Sequence, residues 1–416
     1  MRSWRDAVLA VYLASGLALS AWLTRLPAIA DGLGLSPAGL GALLLTQTVA
    51  AFVSVSLSGV TVARLGPARA LRLTSALVAA GLVLIGAGAS AAGSLPVATA
   101  GFLLFGTGLA TWNVAANVEG VACESALGRT VMPVMHAFFS VGTVLGAGIG
   151  AGAAALGVPV AWHTGVMAVV VLALVRTAVR SFQGEDPRAR PEPRTDTGSL
   201  DLEAVAAASP RTHGVRGAWR TPRNLVVGLF VLGVALAEGA ANDWVALALT
   251  QGYGTSEALG ALGYGIFVTA MTAGRLAGTP LLDRFGRVTI LRAAGTLAAA
   301  GLGVFVLSPW LGLGLAGLFV WGLGVSLGFP VGMSAAADDT ENAAANVSVV
   351  STIGYGAFLG GPPLLGLLGD AVGVRPALGA VALFVVVSLL LVPALRPANP
   401  SAPPRAVGAG SPRDGR

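Results

Sequence analysis

Residues 40–51 read LGALLLTQTVAA, and residues 259–270 read LGALGYGIFVTA. About twenty residues further on a second pair matches, ARLGPARALR at 63–72 and DRFGRVTILR at 283–292. Two segments recurring at nearly one offset mark an internal duplication. In each copy an apolar stretch runs into a short loop bearing arginines, the profile of a helix leaving a bilayer.

Composition says the same of the whole chain. Of 416 residues, 55% are hydrophobic and 11% charged, with mean hydropathy +0.80. A water-soluble domain averages about 25% charged residues and needs them on its surface. Less than half that fraction cannot cover a surface for water, so the exterior faces lipid and the bulk of the chain is not disordered. The 59 glycines suit helices packed closely in a bilayer. All 25 basic residues are arginine and the net charge is +6. In a soluble chain that balance would suggest nucleic acid; here it is explained by loops held on the cytoplasmic side, so no nucleic-acid partner is expected. The single cysteine, Cys123, excludes an intrachain disulfide. No metal-ligand cluster, glycine-rich phosphate loop with lysine or nucleophile motif is present, so neither an enzyme nor a cofactor is expected.

A hydrocarbon core about 30 Å thick takes about 20 apolar residues per helix. At that width the spans fall near 7–28, 38–62, 71–92, 96–118, 132–154 and 160–180, and then near 224–249, 257–281, 290–308, 311–335, 344–368 and 375–396. The apolar stretch from Ala7 to about Ala21 lacks a cleavage pattern and reads as the first helix. The expected organisation is an all-α integral membrane protein. Residues 1–180 form one six-helix bundle, 181–223 a flexible linker, 224–396 a second bundle and 397–416 a disordered tail. Arginine placement orients it. Arg2, Arg5, Arg64, Arg69, Arg72, Arg129, Arg284, Arg287 and Arg292 sit on one side with the linker, and the opposite loops carry Arg25 and Arg375. Both termini are therefore expected in the cytoplasm, with the acids Asp338, Asp339 and Glu341 after helix 10 a local exception.

Two six-helix repeats and a long central loop resemble the major facilitator superfamily over almost the whole chain. Its loop signature, G-x-x-x-D-R-x-G-R, is matched after helix 8 by Asp283, Arg284, Gly286 and Arg287. The copy after helix 2 keeps Gly59, Arg64 and Gly66 but has Ala63 and Pro67 in place of the acid and an arginine. The resemblance implies a charge-and-dipole latch on the cytoplasmic side, to which Arg275 is assigned as well. The stretches AWLTRLPAIADGLGLS (from 21), NVAANVEGVACE (from 113), MPVMHAFFSVG (from 132), AEGAANDW (from 237), AMTAGRLAG (from 270) and GYGAFLGGPPLLGLLGD (from 354) resemble the fucose-permease-like branch. The chain departs from it in having Asn113 where relatives commonly carry an acid, and in lacking an acid in the middle of helix 1.

Charge at the bilayer centre costs at least about 2.5–3.5 kcal/mol per residue, so polar groups inside spans are site candidates. Glu238, within helix 7, is a candidate proton carrier, or else a carboxylate permanently bonded to a neighbouring helix. Asn242 shares its face one turn on, and Asp243 and Trp244 follow. Trp22 and Arg25 stand at the outer end of helix 1. The resemblance implies that helices 1 and 7 face each other, so an Arg25–Asp243 or Arg25–Glu238 pair would close an outer gate. Alternatively Arg25 meets an anionic or hydroxylated substrate, or snorkels to water. Asn113 and Asn117 put two amides on one face of helix 4, suited to a polyol or to helix contacts. Glu119 and His136 form a candidate inner polar pair, His136 being read as the histidine well inside a span. Gln47, Tyr264 and Tyr355 are weaker cavity candidates. Gly360, Gly361, Pro362 and Pro363 are expected to break helix 11 as a hinge.

These features favour a monomer in the inner membrane that moves a small polar organic solute, a sugar among the candidates, by alternating access, with protons as a candidate coupling ion. A drug or metabolite exporter of the same superfamily is the alternative.

Overall fold

A computed structural model describes residues 2–91, 93–128, 131–182, 215–339 and 342–396 as helices joined by short turns, with no strand among them. Arg129, Glu341, most of the expected linker and the tail lie outside the described residues. The first repeat is α1 (Arg2–Leu23), α2 (Pro37–Leu65), α3 (Pro67–Gly86), α4 (Leu95–Leu127), α5 (Met132–Ala155) and α6 (Val160–Ala178). The second is α7 (Pro222–Tyr253), α8 (Glu257–Phe285), α9 (Arg287–Leu307), α10 (Leu311–Ala336), α11 (Ala343–Val372) and α12 (Val374–Leu395). A short helix, Leu26–Gly32, follows α1. Another, Val215–Arg220, precedes α7 and packs Ala218 on Ala345 and Val349.

The repeats pack alike. In the first, α3 lies on α4, α2 on α4 and α1 on α5; in the second, α9 lies on α10, α8 on α10 and α7 on α11. The turns show the register. Ser36 and Ser256 cap α2 and α8, each accepting the N–H three residues on. Gly66 and Gly286, at φ 75° and 77°, turn the chain into α3 and α9. These pairs stand 220 residues apart, whereas the strings at 40–51 and 259–270 stand 219 apart, one residue out of structural register. Gly81 leaves no room for a Cβ against the Gly101 carbonyl and the Phe105 backbone, and Gly301 none against the Gly317 carbonyl and Trp321. Gly81→Val and Gly301→Val are each expected to destabilise by about 1–3 kcal/mol through overpacking. Gly148→Val and Gly303→Val, where a Cβ meets open space, should move thermal unfolding in detergent much less.

Ten of the twelve helices are long and apolar enough to cross a membrane. The exceptions, α8 and α11, are long enough but more polar, and they are the helices of the second repeat that cross the seam, α8 against α5 and α11 against α2. A helix shielded from lipid by protein can carry Arg275, glycines and prolines that a lipid-facing one cannot. The hinge expected at Pro362–Pro363 is corrected: α11 runs through both prolines as one helix. Its backbone there is pressed against α2, where Gly41 lies against the Pro362 carbonyl. The break falls instead in α10, between Val325 and Gly328.

Candidate functional site

One end of the bundle carries Arg5, Arg64 and Arg287, and the halves meet at the other. There Arg25, at the turn after α1, donates through Nε to Glu257 Oε1 at 2.5 Å and through Nη2 to the Val158 carbonyl at 2.9 Å. Arg25 is 3% exposed. Glu257 opens α8, where the positive end of the helix dipole favours an acid. On the second seam Asp370, near the end of α11, accepts from Ser36 Oγ at 3.0 Å and from the Ala38 N–H at 3.2 Å, capping α2 from across the interface. Ala147 of α5 faces Gly265 of α8 between them. The Arg25–Glu257 ion pair and the bonds of Asp370 to Ser36 and Ala38 join the halves at this end.

The expected Arg25 pairing with Asp243 or Glu238 is thus corrected to Glu257. Asp243 lines a small cavity with Leu236, Phe358 and Pro362 between α7 and α11. Glu238 is already engaged: Arg275 Nη2 donates to its Oε1 at 3.0 Å. This also corrects Arg275, which belongs to mid-span rather than to a latch at the inner end. The local reason lies in α10. Pro330 has no N–H, so the Ser326 carbonyl is freed where the helix breaks, and Arg275 Nε donates to it at 3.3 Å. Glu238 and Arg275 are 18% and 35% exposed at the side chain. Both Glu238 and Asp243 act electrostatically on Tyr264, which lies on α8 beside Ser20 of α1. The carboxylates therefore face the seam. Asn242, one turn beyond Glu238, is partly buried.

The first repeat holds a cluster of uncharged polar groups. Tyr12 donates to Asn117 Oδ1 at 2.5 Å, and Asn113, one turn away, is exposed. His136 is exposed, its ring 5.1 Å from that of Tyr12 and its Nδ1 3.0 Å from the Met132 carbonyl. The expected Glu119–His136 pair is replaced by a Trp4 Nε1–Glu119 bond of 2.6 Å. Helix α4 continues to Leu127, so Glu119 lies within it and turns toward α1. Trp22 is corrected as well: it is buried edge-on against Phe102 and Phe105, inside the first bundle.

The expected latch is rearranged. Asp283 and Arg284 are exposed, with Arg284 over the Phe285 ring at 5.2 Å. Arg287 grips Asp338 through both terminal nitrogens at 2.8 and 3.1 Å, and Arg223 joins at 2.8 Å. Two residues were missed by sequence. Glu124 accepts from the Val131 and Met132 N–H groups, capping α5, and a carboxylate placed shortly before a helix start is a readable signal for that. His163, 5% exposed in α6 and electrostatically coupled to Arg25, corrects the reading of His136 as the histidine of the spans.

The sequence model of the Major Facilitator Superfamily matches residues 8–362 and 244–414. An uncharacterized transporter of Sinorhizobium fredii is 32% identical over 397 residues, 94% of this chain and 98% of that one. The crystal structure of the nucleoside transporter NupG superposes with a TM-score of 0.71 at 14% identity, covering 94% of this chain and 98% of that one. That of the E. coli fucose:proton symporter FucP gives 0.58 at 17%, with the same coverage. With twelve helices in two packed six-helix repeats and a polar centre between them, the chain belongs to the major facilitator superfamily.

Proposed function

We propose that the protein is a secondary active transporter that moves a small polar organic solute across the cytoplasmic membrane by alternating access, coupled to protons through Glu238. Both termini lie in the cytoplasm, the halves 1–180 and 224–396 rock about the central site, and the monomer is the working unit. The Arg25–Glu257 and Ser36–Asp370 contacts then close the external side. What supports this reading is an ionisable pair, Glu238–Arg275, within the second repeat, together with the phenol and amides of Tyr12, Asn113 and Asn117 in the first. Ionisable groups are held at mid-span only where protein or a polar cavity surrounds them. Such a mixed polar lining suits a hydroxylated solute better than a bulky apolar drug.

The test is thermal stabilisation of the purified protein by sugars, polyols and cationic drugs, followed by flux of any hit into proteoliposomes. Stabilisation and uptake of a polar solute, with a pH dependence altered in Glu238→Gln, is expected. Stabilisation by amphiphilic drugs alone, indifferent to that substitution, would replace this reading with the exporter.

A further inference from the structure

Resting on that reading of the central site, we infer that the solute carries an anionic group, a carboxylate on a hydroxylated skeleton, and that Arg275 is its anchor. The argument begins with depth. Every other arginine in a described span lies within about two turns of a helix end, where it reaches water or a headgroup. Arg275 stands ten residues from Phe285 and eighteen from Glu257, about 15 and 27 Å along the axis. A guanidinium held there solely to neutralise Glu238 would be enclosed. Instead its side chain is 35% exposed, more than that of its partner. Its fork is half used: Nε is spent on the Ser326 carbonyl and Nη2 on Glu238, while Nη1 has no partner among the described residues. That leaves a planar pair of donors matched to a carboxylate.

Charge balance defines the exchange. Taken as a pair, Glu238 and Arg275 are neutral, one carboxylate against one guanidinium. An entering carboxylate that takes the guanidinium leaves Glu238 as a second, unpaired negative charge in the centre of the membrane, which the low-dielectric surroundings oppose. One proton on Glu238 restores neutrality, so anion and proton enter the site together. Among the described residues, the groups around Glu238 leave no other cation to do this. Helix α8 contributes Arg275 and Tyr264, α7 itself Asp243, and α10 the Ser326 carbonyl. Arg25 is committed to Glu257 at the closed end. The opposite half offers amides and a phenol at Asn113, Asn117 and Tyr12, which bind hydroxyls and bring no charge that would repel the anion.

The experiment compares gluconate, glucuronate and galacturonate with glucose and galactose, by thermal shift and by isothermal titration at pH 5.5 and 7.5. At least one acid is expected to bind, with its uncharged counterpart at least tenfold weaker. Arg275→Lys should weaken the acid about tenfold. The double variant Glu238→Gln/Arg275→Gln, which leaves no unpaired charge to unfold the protein, should abolish its binding. Glu238→Gln alone should bind the acid as tightly at pH 7.5 as at pH 5.5, whereas the parent binds it at least tenfold better at the lower pH. Equal binding of sugar and acid, unaffected in the double variant, would overturn the inference while leaving the polar-solute transporter standing. Binding of neither, with amphiphilic cations stabilising instead, would overturn both.

Discussion

Glu257→Gln is expected to open the arginine-poor end. The substitution leaves Arg25, 3% exposed, with the Val158 carbonyl as its remaining hydrogen-bond acceptor. Removing one partner of a buried ion pair costs about 3–5 kcal/mol because the other charge stays desolvated. Glu257 is 24% exposed, so the lower end, about 3 kcal/mol, is the better guide. That penalty falls on the closed arrangement, since separation of the halves lets Arg25 reach water. At about 1.4 kcal/mol per tenfold, the closed-to-open ratio should fall by about a hundredfold. Ala147→Cys in a Cys123→Ala background places a thiol on the α5–α8 seam, where Ala147 is buried. Its labelling by an impermeant maleimide should rise at least tenfold in Glu257→Gln. The double variant Arg25→Gln/Glu257→Gln should fall back toward the parent, because no charge is stranded. Unchanged labelling in the single variant would mean that the ion pair does not hold the gate.

Arg275→Gln should be the most damaging single change at the centre. Glu238 would be left, 18% exposed, without its cation. Because Arg275 itself is 35% exposed, water screens part of the pair, and the loss is expected to be about 1–3 kcal/mol rather than that of a dry pair. Glu238→Gln should cost less, since the freed guanidinium keeps the Ser326 carbonyl and meets water. The double neutral variant should be more stable than Arg275→Gln alone, a coupling read directly from a double-mutant cycle. Solute flux should fall at least tenfold in both single variants and stay low in the double, whose recovered fold has no exchangeable pair. If the two losses of stability simply add, the 3.0 Å contact contributes nothing measurable to the protein.

What could be read from the chain is uneven, and particular residues show why. The span expected near 132–154 is the helix Met132–Ala155, and that expected near 257–281 is Glu257–Phe285. The span ending near 118 runs on to Leu127, because polar residues such as Glu119 and Glu124 lower hydropathy without ending a helix. Trp22 and Trp112 carry the composition of a sugar site but are both buried in the first bundle. A tryptophan's neighbours are set by its azimuth on the helix, which apolar spans with little amphipathic contrast do not reveal. Pro330 was a readable signal of a freed carbonyl at Ser326, and Arg275 a readable charge. That the two meet Glu238 was not, since the three lie on separate helices.

Membrane residence, the number of spans and their duplication follow from the amino-acid sequence alone. The bilayer's thickness and polarity act on each segment independently, so hydropathy over about 20 residues decides them without reference to any other helix. The pairing of charges belongs to the tertiary structure: Arg25 with Glu257, Asp370 with the start of α2, Arg287 with Asp338 and Glu238 with Arg275. Each of these contacts joins different helices or the turns at their ends, and it depends on how those helices are rotated and set in depth against one another. Small residues where helices touch, such as Gly41 against Pro362 across the seam and Gly301 against Gly317 within the second repeat, set that rotation by how closely two backbones can approach.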